Sequence, residues 1–260
     1  MAGAYQRRGS RSQAKPAGKL RFYERSDPRD PENMILAALT AEEHRRLRPY
    51  LEFVPLKAGS VLWEPGQPIE FVYFPTSGLI SFVAVMHDGA IVEVGMTGGE
   101  GFVGTPIILG AHDSPVVRAV VQIGGECFRI ESDLLLRILP QVPQFEGMLR
   151  RYTYAYATQV EQAVACTCLH QVPERLARWL AMSHDRTESP ILPLTQESLA
   201  HLLGCRRSSV TSAVGRLRKA GIVRVGHGQV HVLDRKQLEQ GACECYGIIK
   251  RAFSGLTRNG

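Results

Sequence analysis

Apolar and polar positions change period twice along this chain. From Asn33 to Leu51 (NMILAALTAEEHRRLRPYL) the spacing is helical, and Thr40 opens a Thr-Ala-Glu-Glu capping pattern. From Phe53 to Ile130 the period shortens. β-rich runs stand at Val61–Trp63, Phe71–Phe74, Leu79–Met86, Ile91–Met96, Val116–Ile123 and Glu126–Ile130. Between them lie the turn residues Pro65-Gly66, Thr76-Ser77-Gly78, Asp88-Gly89 and Gly98-Gly99. Asp88-Gly89, flanked by alternating apolar residues, is the best hairpin signal in the chain. Many short strands with regular turns predict a small antiparallel β-roll. Its interior can be a sensor pocket or a packed core.

Past Ile130 the helical period returns. Ser132–Leu139 predicts a short helix ended by Pro140. Pro143–His170 predicts one long helix, ~40 Å if continuous. In it Leu149, Tyr152, Tyr156, Val160, Ala163 and Thr167 repeat close to a heptad. That stripe exceeds what a small roll needs, so the helix is expected to pair with its copy in a dimer. Pro173–Asp185 is the next helix, with Leu176, Trp179, Leu180 and Met182 as its core face.

The stretch Leu192–Asp234 carries the chemistry. Thr195 is a good N-cap before an amphipathic segment with Leu199, Leu202 and Leu203 apolar. Gly204 breaks that pattern, as the turn between two crossed helices requires. A second helix keeps Val210, Ala213, Val214 and Leu217 on one face. Its other face offers Arg207, Ser208, Thr211 and Ser212, short donors behind one arginine, which suits a helix laid into a DNA major groove. Gly221 stops it. Ile222–Val225 and Val230–Leu233 around Gly226-His227-Gly228 then read as a wing.

Charge sharpens this picture. Thr195 to Lys236 holds the cations Arg206, Arg207, Arg216, Arg218, Lys219, Arg224, Arg235 and Lys236 against Glu197 and Asp234. That segment alone equals the formal net charge of the 260-residue chain, +6. Clustered cations are the footprint of phosphate binding, and the pI near 9.1 agrees. A length of 260 residues is enough for two ordinary domains, and a hydrophobic fraction of 44% is an ordinary globular composition. No apolar run reaches the ~18 residues of a membrane span, and the Arg- and Ser-rich start lacks a signal core, so a cytoplasmic location is expected.

Other chemistries find little support. No Ser-His-Asp order, His-x-x-x-His pair or Walker loop is evident, so the chain is not expected to be an enzyme. Gly98–Gly104 reads as roll turns. Six cysteines stand at 127, 166, 168, 205, 243 and 245, expected as free thiols. In a helix Cys166 and Cys168 are rotated ~200° apart and cannot readily share a metal. Cys243-Glu-Cys245 has no such bar and is a weak metal or redox candidate, its spacing being shorter than the usual zinc pair. No cofactor is expected.

Roll, long helix and winged helix-turn-helix together resemble the Crp/Fnr family of bacterial transcription regulators. The resemblance runs from Asn33 to about Glu239 and is strongest in Val172–Asp185 and Leu194–Asp234. Residues 1–31, low in large apolar residues and carrying Arg7, Arg8, Arg11, Lys15, Lys19 and Arg21, read as a disordered basic arm, and 241–260 as a tail. The resemblance implies an α+β fold with 32–140 a sensor roll similar to cyclic-nucleotide-binding domains, 141–171 a dimerisation helix and 172–240 the DNA-binding domain. It implies a homodimer on a near-palindromic double-stranded DNA site, with RNA polymerase as a further partner. Arg207 matches the arginine that reads guanine. Ser208 departs from a common glutamate. Thr211 and Ser212 come next on that face, with Arg206 beside Arg207. Thr195 and Gln196 match DNA-backbone contacts, and Arg216 and His227 are phosphate candidates.

The sensor match is weaker. Cyclic-AMP-binding relatives carry a cassette Glu for the ribose and an Arg for the phosphate. Here Thr105 stands in place of the Glu in Glu100–Thr105, and Ala111–Pro115 has no Arg. Cyclic AMP is therefore not expected to bind in the usual way. Gly104, Thr105, Ser114 and Arg118 remain pocket candidates, and the effector is unknown. The competing reading is a ligand-binding signalling module whose DNA domain is vestigial.

Overall fold

Two short helices, α1 (Met34–Ala37) and α2 (Ala41–Leu47), lead the chain in the computed structural model, which describes residues 33–114 and 116–256. The basic arm expected over 1–31 lies outside the described residues. Asn33 caps α1 by accepting from Ile35 N and Leu36 N. Its Nδ2 also donates to Pro75 O and Gly101 O, at 2.9 and 2.7 Å. Thr40 caps α2 as the sequence predicts, accepting from Glu43 N at 3.1 Å.

The roll follows. Its strands are β1 (Glu52–Leu56), β2 (Val61–Trp63), β3 (Phe71–Pro75), β4 (Leu79–Val85) and β5 (Ile91–Thr97). After the one-turn α3 (Thr105–Ile108) come β6 (Val117–Ile123) and β7 (Gly125–Glu131). The strands form two antiparallel sheets, ordered β1-β7-β3 and β2-β6-β4-β5. All six predicted runs are strands. β1 carries no such signal, because only Leu56 of its five residues is buried and Pro55 sits in it. Both features are tolerable on the edge strand it is.

Helix α4 (Ser132–Ile138) leads through a short turn into α5 (Pro143–Leu169). Here one expectation is corrected. Leu149 and Tyr152 do not form a free dimer seam; both are fully buried in the roll's core with Phe145 and Met148. Tyr156 packs edge-on against Phe82, ring centroids 5.0 Å apart. The roll consumes the stripe because its own sheets leave the Phe74–Phe102 core open toward the helix. The approach is so close that a Cβ on Gly101 would stand 1.9 Å from the Tyr152 ring.

The C-terminal half contains α6 (Val172–Thr187), β8 (Ile191–Leu192), α7 (Gln196–Leu203), α8 (Arg207–Lys219), β9 (Val223–Gly226), β10 (Gln229–Val232), α9 (Arg235–Gln240) and α10 (Cys245–Ser254). The wing hairpin β9–β10 gains β8 as a third strand. The segment expected as a tail folds into α10, which packs on α5 and α6. Its Phe253 meets Tyr152, with ring centroids 5.7 Å apart.

Strand alternation explains how the halves join. Along β4, Ile80 and Phe82 face the first core, while Leu79 and Val83 face the other way. That outer face is covered by α6, so Leu79, Val83 and Met96 share a second core with Leu176, Trp179, Leu180 and the helix-turn-helix leucines. Gly204, in the left-handed region at φ +58°, ends α7 against β5. A Cβ there would lie 3.0 Å from Val92.

Candidate nucleic-acid interface

Helices α7 and α8 are amphipathic, and burial of one face dictates what the other presents. Val210, Ala213, Val214 and Leu217 are buried. Arg206, Arg207, Ser208, Thr211, Ser212 and Arg216 are exposed on α8 and its start. No side chain caps α8 at Arg206, and Arg207 stands exposed at its first position. Arg207 Nη1 rests 3.1 Å from Glu197 Oε2, both well exposed. Such a pair contributes at most ~1 kcal/mol and yields easily to a base edge.

The remaining candidates gather around this face. Thr211 Oγ1 donates to Gln196 Oε1 at 2.7 Å, which ties the two helices at their polar edge. Thr195 Oγ1 accepts from Ser198 N at 3.0 Å, so this hydroxyl serves the α7 cap. His227 sits exposed at the wing tip at φ +52°, beside Gly228 at +72°, a pair of left-handed residues that suits a two-residue hairpin turn.

The pocket candidates are not brought together in this way. Gly104 is at φ +135°, and a Cβ there would press within 2.9 Å of Val72. Thr105 is buried in the first turn of α3. Ser114 is buried and its Oγ accepts from Val117 N at 3.3 Å. Arg118 donates from Nε to Glu64 Oε2 at 2.7 Å.

What sequence reading missed is the junction between roll and DNA unit. Glu100, in the cassette-like loop, accepts from Arg186 Nε at 2.7 Å and from Gly98 N at 3.0 Å. The same guanidinium donates to Gln159 Oε1 at 3.1 Å and covers the Phe253 ring. Glu93, on β5, accepts from Trp179 Nε1 at 2.7 Å and from Ser81 Oγ at 2.5 Å. A lone carboxylate inside the apolar run Ile91–Met96 was the one available signal.

Burial raises the Glu93 carboxyl from its ordinary 4.5 to about 7, against the hydrogen bonds from Ser81 and Trp179 and the charges of Arg178 and Arg186. The folded protein therefore holds a proton that the unfolded chain has lost. Stability falls as pH rises from about 4.5 through about 7, by up to ~3 kcal/mol from this group, and then levels off. Glu93→Gln is expected to remove that slope in melting temperatures measured from about pH 5 to 8. An unchanged slope would assign it to other groups.

Comparison with known proteins agrees with this geometry. Residues 53–141 match the family model of a cyclic nucleotide-binding domain, and residues 174–240 that of a Crp-like helix-turn-helix domain. The transcriptional regulator SdrP of Thermus thermophilus is 25% identical over 199 residues, which cover 73% of this chain and 93% of SdrP. A Crp/Fnr-family regulator from Eubacterium rectale superposes with a TM-score of 0.62 at 15% identity, covering 81% of this chain and 98% of that one. The c-di-GMP responsive global regulator CLP of Xanthomonas campestris gives 0.59 at 18%, covering 75% and 100%. Among the described residues no helix is long and apolar enough to cross a membrane. With a roll that matches the cyclic nucleotide-binding domain followed by a Crp-like helix-turn-helix domain, and a relative that is a transcriptional regulator, this chain belongs to the Crp/Fnr family of transcription regulators.

Proposed function

We propose that the protein regulates transcription as a homodimer that reads a near-palindromic DNA site, with Arg207 as its principal base-reading side chain. The carrying observation is the exposed polar face of α8, led by Arg207 on a strongly basic segment whose other face is locked into a core. Ser208, Thr211 and Ser212 line the same groove-facing surface. Arg206, Arg216, Gln196, Thr195 and His227 contribute backbone contacts. The chain works as a regulator rather than an enzyme, and RNA polymerase is its further partner.

Dimerisation uses the face of α5 that the roll leaves open. Tyr154 is 75% and Val164 63% exposed, with exposed Ala157 between them at coiled-coil spacing. Val164→Glu is expected to shift the protein toward monomer in sedimentation. It should also weaken DNA binding strongly, because each recognition helix then acts alone. A wild-type protein that sediments as a monomer at micromolar concentration would sink this dimer.

The roll does not take cyclic AMP in the usual way. Thr105 replaces the carboxylate that would hold the ribose, and Arg118 is engaged by Glu64. CLP is a c-di-GMP responsive regulator, so a protein of this fold can answer to another effector. Any signal would reach the DNA unit through Glu100–Arg186 and Glu93–Trp179. Selection from a random duplex pool tests the reading. A palindromic consensus, unchanged when cyclic AMP is added, is expected. Binding to any duplex with steep salt dependence and no enrichment would favour a vestigial DNA domain.

A further inference from the structure

Four side chains outside the DNA interface and the Glu100–Arg186 junction meet where the long helix ends. Cys166 and His170 stand one turn apart at the end of α5, and Cys243 and Cys245 at the start of α10. Their Sγ atoms and a histidine ring nitrogen all lie within 4.8 Å of one another. Cys166 Sγ is 3.5 Å from Cys243 Sγ, and Cys245 Sγ is 3.5 Å from His170 Nδ1. A tetrahedral ion with bonds of ~2.3 Å to sulfur and ~2.0 Å to nitrogen separates its ligands by ~3.5–3.8 Å. Two of the edges thus already stand close to the required length.

The surroundings also fit. The three cysteines are buried and form a cluster apart from both apolar cores, so they do not serve as filler. Glu244 Oε2 lies 3.0 Å from His170 Nε2, a carboxylate that fixes the ring with its Nδ1 lone pair toward the sulfurs. Gln162 Nε2 donates to Cys245 Sγ at 3.3 Å. Arg178 is buried, has an unpartnered Nε, and exerts its charge on Cys166.

We propose that Cys166, His170, Cys243 and Cys245 bind one zinc-class divalent ion that clamps α10 to the end of α5, beside the joint into the DNA-binding unit. Three thiols give their protons to solvent and the neutral imidazole gives a lone pair, so the loaded site carries a single negative charge. The Arg178 guanidinium offsets it. The i, i+4 pair Cys166 and His170 escapes a reading that looks for Cys-x-x-Cys, and the exposed Cys168 points elsewhere. The site extends the weak candidate pair Cys243 and Cys245 to a full set of four ligands.

The test is metal analysis of the full-length protein purified without oxygen, followed by Co²⁺ substitution. One zinc per chain is expected, with intense tetrahedral d–d bands and sulfur-to-cobalt charge transfer in the substituted protein. Cys243→Ser should lose those bands, while Cys168→Ser keeps them. Glu244→Gln retains all four ligands and should weaken binding ~10–100-fold. Circular dichroism establishes that each variant is folded; if Cys243→Ser is not, the Glu244→Gln affinity decides. Less than stoichiometric metal after zinc reconstitution, octahedral cobalt, unchanged affinity in Glu244→Gln, or a Cys166–Cys243 disulfide in protein taken from cells would each overturn the proposal.

Discussion

Arg207→Ala is expected to abolish sequence selection while leaving the fold and general DNA affinity nearly intact. The side chain is 68% exposed and, among the described residues, its ion pair is with Glu197 across the surface, so its loss costs the folded protein less than ~1 kcal/mol. On DNA the guanidinium can donate twice to one guanine, which discriminates by ~1–3 kcal/mol, or about ten- to a hundredfold in each half-site. Two half-sites in the proposed dimer multiply that factor. Titration of the selected consensus against a duplex altered at the matching guanine measures it. The variant should bind both duplexes alike, with a salt slope lower by about one phosphate equivalent or less. If it still prefers the consensus as strongly as wild type, base reading belongs to another residue, with Ser208 and Ser212 next in line.

Arg186→Met is expected to have the larger effect on stability. Arg186 and Glu100 are 7% and 14% exposed, and their 2.7 Å contact joins the cassette-like loop to the last turns of α6. Methionine keeps much of the aliphatic volume but leaves the Glu100 charge buried and deprives Gln159 of its donor. Removing one partner of a buried pair costs about 3–5 kcal/mol. For a protein of this size that corresponds to a melting temperature lower by roughly 10 °C. Glu100→Gln on top of Arg186→Met should recover part of the loss, since the uncompensated charge is then gone. A shift under about 1 °C in the single variant would show that water reaches the pair freely. Because the contact bridges the cassette-like loop and α6 of the helix-turn-helix half, the double variant should also bind the consensus with altered affinity if the proposed route of coupling is the one used.

Much of the exposed polar face of α8 was legible in the sequence. Helix period, Thr195, Gly204 and Gly221 define α7 and α8 locally, and burial of the leucine and valine face leaves Arg207, Ser208, Thr211 and Ser212 outside. The six β-runs and the Asp88-Gly89 hairpin were equally local. The edge strand β1 was not, because an edge with Pro55 and one buried residue has no alternation to read.

What the sequence determined by itself is therefore the kind of element and the polarity of its faces, since both arise within a turn or two of backbone. Which face meets which partner was decided only by the tertiary structure. The Leu149–Tyr156 stripe went into the roll and left Tyr154 and Val164 outside. The outer face of β4 went onto α6, and a carboxylate in an apolar strand found Trp179 eighty-six residues away. Cys166 and His170 met Cys243 and Cys245 for the same reason: α10 folds back along α5. Periodicity states that a face must be covered, but the choice of cover depends on volumes and charges brought together from distant parts of the chain.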